Sequence, residues 1–261
     1  MKNLLFKQMH KFKDKILFFD CETSLLELYS HYIGSKVSIY HNQVKTSKRV
    51  ICISYMAEGW SKPKSLQWNN GDDISMLIEF QNIASQYPIL VAQNGDSFDI
   101  KVLNGRAWEE QIVPFKNVLS LDTLKMSRQN MRLTSHKLDY KLKILGDTGK
   151  DPMEFQDWID VQNGDKKALK KMIKYCEKDV SGLREVFWSL LPYVNRLPTS
   201  LSVLLNGHKN GCEECGSLKI TKNGTRPFAA GFKQRWRCTE CNNDWTDTRL
   251  KKTTDRLGVG L

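Results

Sequence analysis

No stretch of the 261-residue chain is apolar enough, for long enough, to cross a bilayer. The first fifteen residues alternate Lys with short apolar pairs and lack the core and cleavage site of a signal peptide. Membrane-spanning and secreted classes are therefore not expected, and a reducing, cytoplasmic location is. There is no low-complexity tract and no internal repeat, which sets aside disordered and solenoid architectures. Acidic residues are in deficit: 29 Asp and Glu face 40 Lys and Arg, for a net charge of +11. An excess of that sign favours a polyanionic partner, nucleic acid first among them. Cysteine occurs in an odd number, seven, which leaves no complete set of internal disulfides. Four of the seven form two Cys-x-x-Cys pairs, and in a reducing compartment such pairs point to metal.

What is present suffices for one domain of good size and a small appendage. Ile16–Thr23 reads as a strand, as do residues 37–40, 50–55, 65–68 and 89–92. Asp73 is placed to cap a helix through Ile74, Leu77, Ile78 and Phe80 that ends before Pro88. Asn94-Gly95-Asp96 is a turn, and a helix through Asp99, Val102, Leu103 and Trp108 follows it. Residues 119–145 hold a short strand and at least one helix, with a helix start at Ser135–Leu138. The longest helical pattern runs over 165–191, its stripe being Leu169, Met172, Cys176, Val180, Leu183 and Phe187. Cys21, Cys52 and Cys176 lie in apolar segments and read as small core residues. Strands first, then alternating strand and helix, predict an α/β domain, a mixed sheet flanked by helices. The expected division is a domain over 1–192, a linker over 193–210 and a small module over 211–261.

Four acids stand out against this pattern. Asp20 and Glu22 are two residues apart on one strand, so both side chains take the same face while Cys21 takes the other. Two carboxylates at the end of a buried strand repel and are desolvated, and a divalent cation removes both problems. Oxygen ligands of this kind suit Mg²⁺ or Mn²⁺. Asp99 follows Phe98 just after the turn at Asn94-Gly95, and Asp179 lies one helical turn after Tyr175 beside the apolar stripe.

These segments resemble the DEDD superfamily of 3′–5′ exonucleases, which is built on the RNase H-like fold and includes the proofreading domains of DNA polymerases. Asp20-Cys21-Glu22-Thr23 matches its Asp-x-Glu motif, and Asn94-Gly95-Asp96-Ser97-Phe98-Asp99 matches its second motif. Tyr175-Cys176-Glu177-Lys178-Asp179 matches the third motif in its tyrosine branch; Lys174 stands where the histidine branch would need His. Ser135-His136-Lys137-Leu138-Asp139-Tyr140 is similar to a stretch before that motif in family B polymerases. The resemblance implies a two-metal mechanism. Asp20, Glu22 and Asp179 would hold one ion, Asp20 would bridge to a second, and Asp99 would act through the second ion's waters. Tyr175 would orient the attacking water, a phenol being a poor base near neutral pH. Asn94 and Phe98 would contact the nucleic acid, single-stranded DNA 3′ ends in the first instance, and the products would be nucleoside 5′-monophosphates. Replication or repair, with a DNA polymerase as partner, is the corresponding setting. An RNA exonuclease, a non-catalytic nucleic-acid-binding protein, and a transposase or resolvase are the competing readings.

Cys212, Cys215, Cys238 and Cys241 can clamp one tetrahedral Zn²⁺. Gly216 and Asn242 follow the two pairs, where a metal knuckle often needs a positive φ. With Lys219-Ile220 and Gln234–Arg237 as flanking strands, the module resembles the zinc ribbons of transposases and transcription factors. Residues 206–261 carry eleven basic side chains against six acidic ones. Lys233, Arg235 and Arg237 are the expected phosphate contacts, whereas Trp236 and Trp245 are expected to form the module's small core.

Overall fold

The computed structural model describes residues 9–34, 38–115, 119–147, 152–194, 211–212 and 217–247. They divide into two units, one over His10–Tyr193 and a second that holds Met9 and the described residues from Val194 onward. No helix among the described residues is long and apolar enough to cross a membrane.

The larger unit is built on a five-stranded sheet. Its strands are β1 (Ile16–Thr23), β4 (Val50–Ala57), β5 (Lys64–Gln67), β6 (Ile89–Ala92) and β7 (Leu119–Asp122), in the spatial order β5-β4-β1-β6-β7. β1 is antiparallel to β4 and parallel to β6, so the sheet is mixed. β4 is buried along all eight residues, as its run of Val, Ile, Cys and Tyr demands of a strand covered on both faces. A short hairpin, β2 (Glu27–Leu28) with β3 (Val44–Thr46), is inserted between β1 and β4.

Helices α1 (Ile74–Ala84), α2 (Asp99–Glu109), α3 (Thr123–Asn130), α4 (Leu138–Ile144), α5 (Phe155–Gln162) and α6 (Lys166–Leu190) complete the unit. α6 starts where Asp165 accepts hydrogen bonds from Lys167 N and Ala168 N. It buries Met172, Cys176, Val180, Leu183 and Phe187, while Leu169 is partly covered. Alternation along β1 divides its side chains between the faces. Phe18 meets Phe187 of α6 at 5.5 Å between ring centroids, whereas Phe19 meets Phe80 of α1 at 5.4 Å.

Two local expectations change. Residues 38–40 form no strand; they lead into a short 3₁₀ turn at His41–Gln43, because no neighbouring strand supplies a ladder. Asp73 precedes α1, but its side chain makes no cap. It is fully buried, receives two bonds from Arg106 (2.9 and 2.8 Å) and one from Val50 N (2.9 Å). A guanidinium offers charge-assisted bonds that a helix N–H does not match. Arg106 also pairs with Glu109 and Glu110 on its own helix.

In the second unit, β8 (Ile220–Phe228), β9 (Gly231–Cys238) and β10 (Asp244–Thr246) form a three-stranded antiparallel sheet ordered β10-β9-β8. The expected linker over 193–210 lies almost wholly outside the described residues.

Candidate active site

β1 delivers Asp20 and Glu22 to the face covered by α6, and α6 delivers Asp179, which is buried. One carboxylate oxygen from each of the three lies within 4.8 Å of the others. Asp99 stands outside that trio. It opens α2 at 1% exposure, and its Oδ1 accepts from Cys21 N (3.1 Å) and Cys21 Sγ (3.2 Å). β1 outruns β6, whose pairing with it stops at Phe18, and this leaves the Cys21 N–H available to a side chain. Cys176 Sγ lies 3.5 Å from Asp20 Oδ2. The three apolar-segment cysteines are thus buried as expected, yet two of them also touch site carboxylates.

Burial and mutual repulsion dominate the electrostatics of Asp20, and burial that of Asp99. Burial pushes the Asp20 carboxyl well above its ordinary range, and repulsion from Asp99 and Glu22 adds to the rise. Burial likewise raises Asp99 to about 6, against the lowering effect of the Cys21 thiol and N–H. Three oxygens within reach of one ion, in a place that resists ionisation, fit a divalent metal with hard ligands. Tyr175 is half-buried one turn before Asp179. Burial, then the charges of Glu22 and Asp20, push its phenol above the usual value, so it stays protonated near neutral pH.

The turn carrying Asn94 and Phe98 is built to tight tolerances. Asn94 adopts φ 66°, and its N–H is held by Asp122 Oδ1 at 2.9 Å. A Cβ added at Gly95 would sit 2.5 Å from Ala92 Cβ, so the close approach requires glycine. Phe98 is 38% exposed. Asp96, within the same motif, pairs with Lys125 at 2.8 Å. Sequence reasoning missed the supports behind the turn. Asp122 ends β7 and also caps α3 through Leu124 N and Lys125 N. Gln93 Oε1 receives Thr123 Oγ1 (2.7 Å) and the buried Lys141 Nζ (2.6 Å), while Gln93 Nε2 donates to His136 O (3.0 Å). Burial lowers Lys141 to about 8. Only the Asp122 cap, an Asp ahead of a helical stretch, left a readable local signal.

In the small unit the thiols of Cys212, Cys238 and Cys241 lie within 4.8 Å of one another, with 3.5 Å between Cys212 and Cys241. A tetrahedron of Zn–S bonds has S···S edges of about 3.8 Å, so the grouping fits Zn²⁺. Cys215 and Gly216 lie outside the described residues. Asn242 does adopt φ 60°, and its N–H returns to Cys238 O at 3.0 Å. Across the sheet, Arg226 opposes Lys233, Thr246 opposes Arg235, and both Thr221 and Asp244 oppose Arg237. Alternation therefore puts Lys233, Arg235, Arg237 and Arg226 on one face. Trp236, between Lys222 and Trp245 in register, takes the other.

A family model described as the RNase_H superfamily matches residues 17–190. Among solved structures, the chain is similar to the family B DNA polymerase from the hyperthermophilic archaeon Pyrobaculum calidifontis. The TM-score is 0.45 and the identity 13%, with 65% of this chain covered; the match spans 24% of the polymerase. No curated protein matches the chain.

Proposed function

The chain belongs to the RNase H superfamily, and from that premise we propose that it is a metal-dependent 3′–5′ exonuclease that shortens single-stranded DNA. The observation that carries this reading is the trio Asp20, Glu22 and Asp179, with oxygens within 4.8 Å, backed by Asp99 on the Cys21 side of the same strand. The trio would hold one divalent ion, and Asp20 with Asp99 would serve a second. Mg²⁺ or Mn²⁺ suits an all-oxygen set. Bound ions supply an activated water and offset charge on the phosphate and the leaving 3′ oxygen. Tyr175, kept protonated by burial and by its anionic neighbours, donates a hydrogen bond that orients the nucleophile. Phe98 offers a ring to a base, and the Asn94 turn fixes where that ring stands. In the small unit Cys212, Cys238 and Cys241, with Cys215, would hold one structural Zn²⁺, and the four-cation face would grip backbone phosphates.

The test is digestion of 5′-labelled single-stranded DNA and RNA oligomers with Mg²⁺, Mn²⁺ or EDTA. A metal-dependent ladder of products that keep the 5′ label is expected, with DNA cut faster. Asp20→Ala and Asp179→Ala should each lose about a thousandfold or more while still folding. Release of the 5′ label in the first cleavage, or full activity in either variant, refutes the reading. Faster cutting of RNA would keep the reaction and change the substrate.

A further inference from the structure

The insertion between β1 and β4 supplies neither the carboxylate cluster nor the core. Its stem is tied down. Leu25 N donates to Gln162 Oε1 (3.0 Å), Gln162 Nε2 donates to Glu27 Oε1 (2.7 Å), and Lys45 pairs with Glu27 Oε2 (3.1 Å). Beyond this anchored stem the insertion displays Tyr29, Tyr32 and Tyr40, which are 68%, 77% and 67% exposed. Ile33 and Ile39 are exposed beside them. One residue sets two of the tyrosines together: Gln43 accepts the Tyr29 N–H on its main-chain oxygen (2.8 Å) and the Tyr40 N–H on Oε1 (2.7 Å). Ser30 holds the third, its hydroxyl accepting from Tyr32 N (3.2 Å) and donating to Tyr32 O (2.7 Å). The backbones that carry these rings are therefore locally pinned while the rings face water.

Grouped exposed aromatics of this kind mark an interaction surface. The charge of the insertion selects the occupant. Residues 28–49 contain Lys36, Lys45, Lys48 and Arg49 and no acid, and the one acid of the stem, Glu27, is already paired with Lys45. A second copy of this basic chain would meet those cations without compensation. A chain of flat rings joined by anions answers both features, the bases lying on phenol rings and the phosphates beside Lys and Arg.

We propose that this hairpin is a stacking platform for the single-stranded part of the substrate, away from the scissile bond. The proposal rests on the nuclease reading above. Tyr29 follows Glu22 by seven residues, which limits their separation to about 25 Å. Stacked nucleotides at about 3.4 Å each span that distance in roughly seven. A single bound strand of about seven nucleotides can therefore reach both the carboxylates and the hairpin.

The test uses the full chain and the double variant Tyr29→Ser/Tyr40→Ser, with Tyr29→Phe/Tyr40→Phe as the conservative control. Binding of fluorescein-labelled (dT)20 is followed by anisotropy in EDTA at about 0.3 M salt, where phosphate contacts weaken and stacking persists. The serine variant should bind roughly 5- to 100-fold more weakly per base released, and the phenylalanine variant close to wild type. In Mn²⁺ the serine variant's KM for (dT)20 should rise, while turnover of the p-nitrophenyl ester of thymidine 5′-monophosphate is unchanged. Unchanged (dT)20 affinity overturns the proposal, and so does an equal loss on the ester. A change in oligomeric mass with unchanged affinity also overturns it, in favour of self-association. If wild type cleaves nothing but the serine variant still loses (dT)20 affinity, the platform stands and the nuclease reading falls.

Discussion

Replacing Asp99 by Asn isolates the electrostatic strain of the site. In the metal-free protein burial is the main influence on this carboxyl. The Cys21 thiol and N–H oppose it and Asp122 adds repulsion, leaving a pKa of about 6 against an ordinary 3.8. At about 1.4 kcal/mol for each pH unit, that difference makes the ionised form unfavourable to folding by about 3 kcal/mol. Because the folded pKa is the higher one, the stability linked to this proton is complete below 3.8 and is lost as pH rises through about 6. Asn carries no charge at any pH and can keep the bond from Cys21 N, at a loss of roughly 1 kcal/mol in charge-assisted strength. In EDTA near pH 8, Asp99→Asn should therefore be more stable than wild type by about 1–2 kcal/mol, or about 2–8 °C in Tm. Near pH 5 about half of the electrostatic gain should be gone. Mg²⁺ should narrow the gap near pH 8 by stabilising wild type more than the variant. Thermal unfolding at both pH values, with EDTA or Mg²⁺, reads all of this. A variant less stable than wild type near pH 8 in EDTA, or a gap that ignores pH, would refute the reasoning.

Tyr175→Phe keeps the ring and removes the hydroxyl; single-turnover rates should fall roughly 10- to 100-fold, well short of the loss in Asp179→Ala. Equal loss in the two would show that the hydroxyl does more than position the water. Arg106→Met strands the Asp73 carboxylate, which is 0% exposed, and should destabilise the large unit by about 3–5 kcal/mol in urea unfolding. Metal analysis should find one zinc ion per chain in the wild type and none in Cys238→Ser. That variant should also lower oligomer affinity and flatten its salt dependence by about 0.7 in log–log slope for each phosphate that the small unit no longer neutralises. Cleavage of the thymidine ester should persist in that variant.

Where the sequence could be read, the reason was local periodicity. β1 shows as a strand-length apolar run ending in charge, and α6 as a stripe at three- and four-residue spacing under an Asp cap. Residues 38–40 have the composition of a strand, but a strand needs a ladder partner, which no local pattern reveals. Asp73 failed as a cap for the same kind of reason, since Arg106 lies far along the chain and binds it more strongly. Lys141 has the look of one more surface lysine of a basic helix. Only packing revealed that it is 4% exposed behind the Asn94 turn.

By itself, then, the sequence determined the order of the acids, the face of β1 that Asp20 and Glu22 share, and the pairing of Tyr175 with Asp179 on one helix, because backbone geometry dictates these over a few residues. It also placed a positive φ at Asn242, which the knuckle adopts. The tertiary structure alone decided that Asp179 comes within 4.8 Å of Asp20 and Glu22, and that Asp99 is hydrogen-bonded to Cys21 while its charge acts on Asp20. It likewise decided that three tyrosines of one insertion stay in water. Distances of that kind are set by how the helices pack on the sheet and by which partners win each buried polar group, and neither is written in the spacing of residues along the chain.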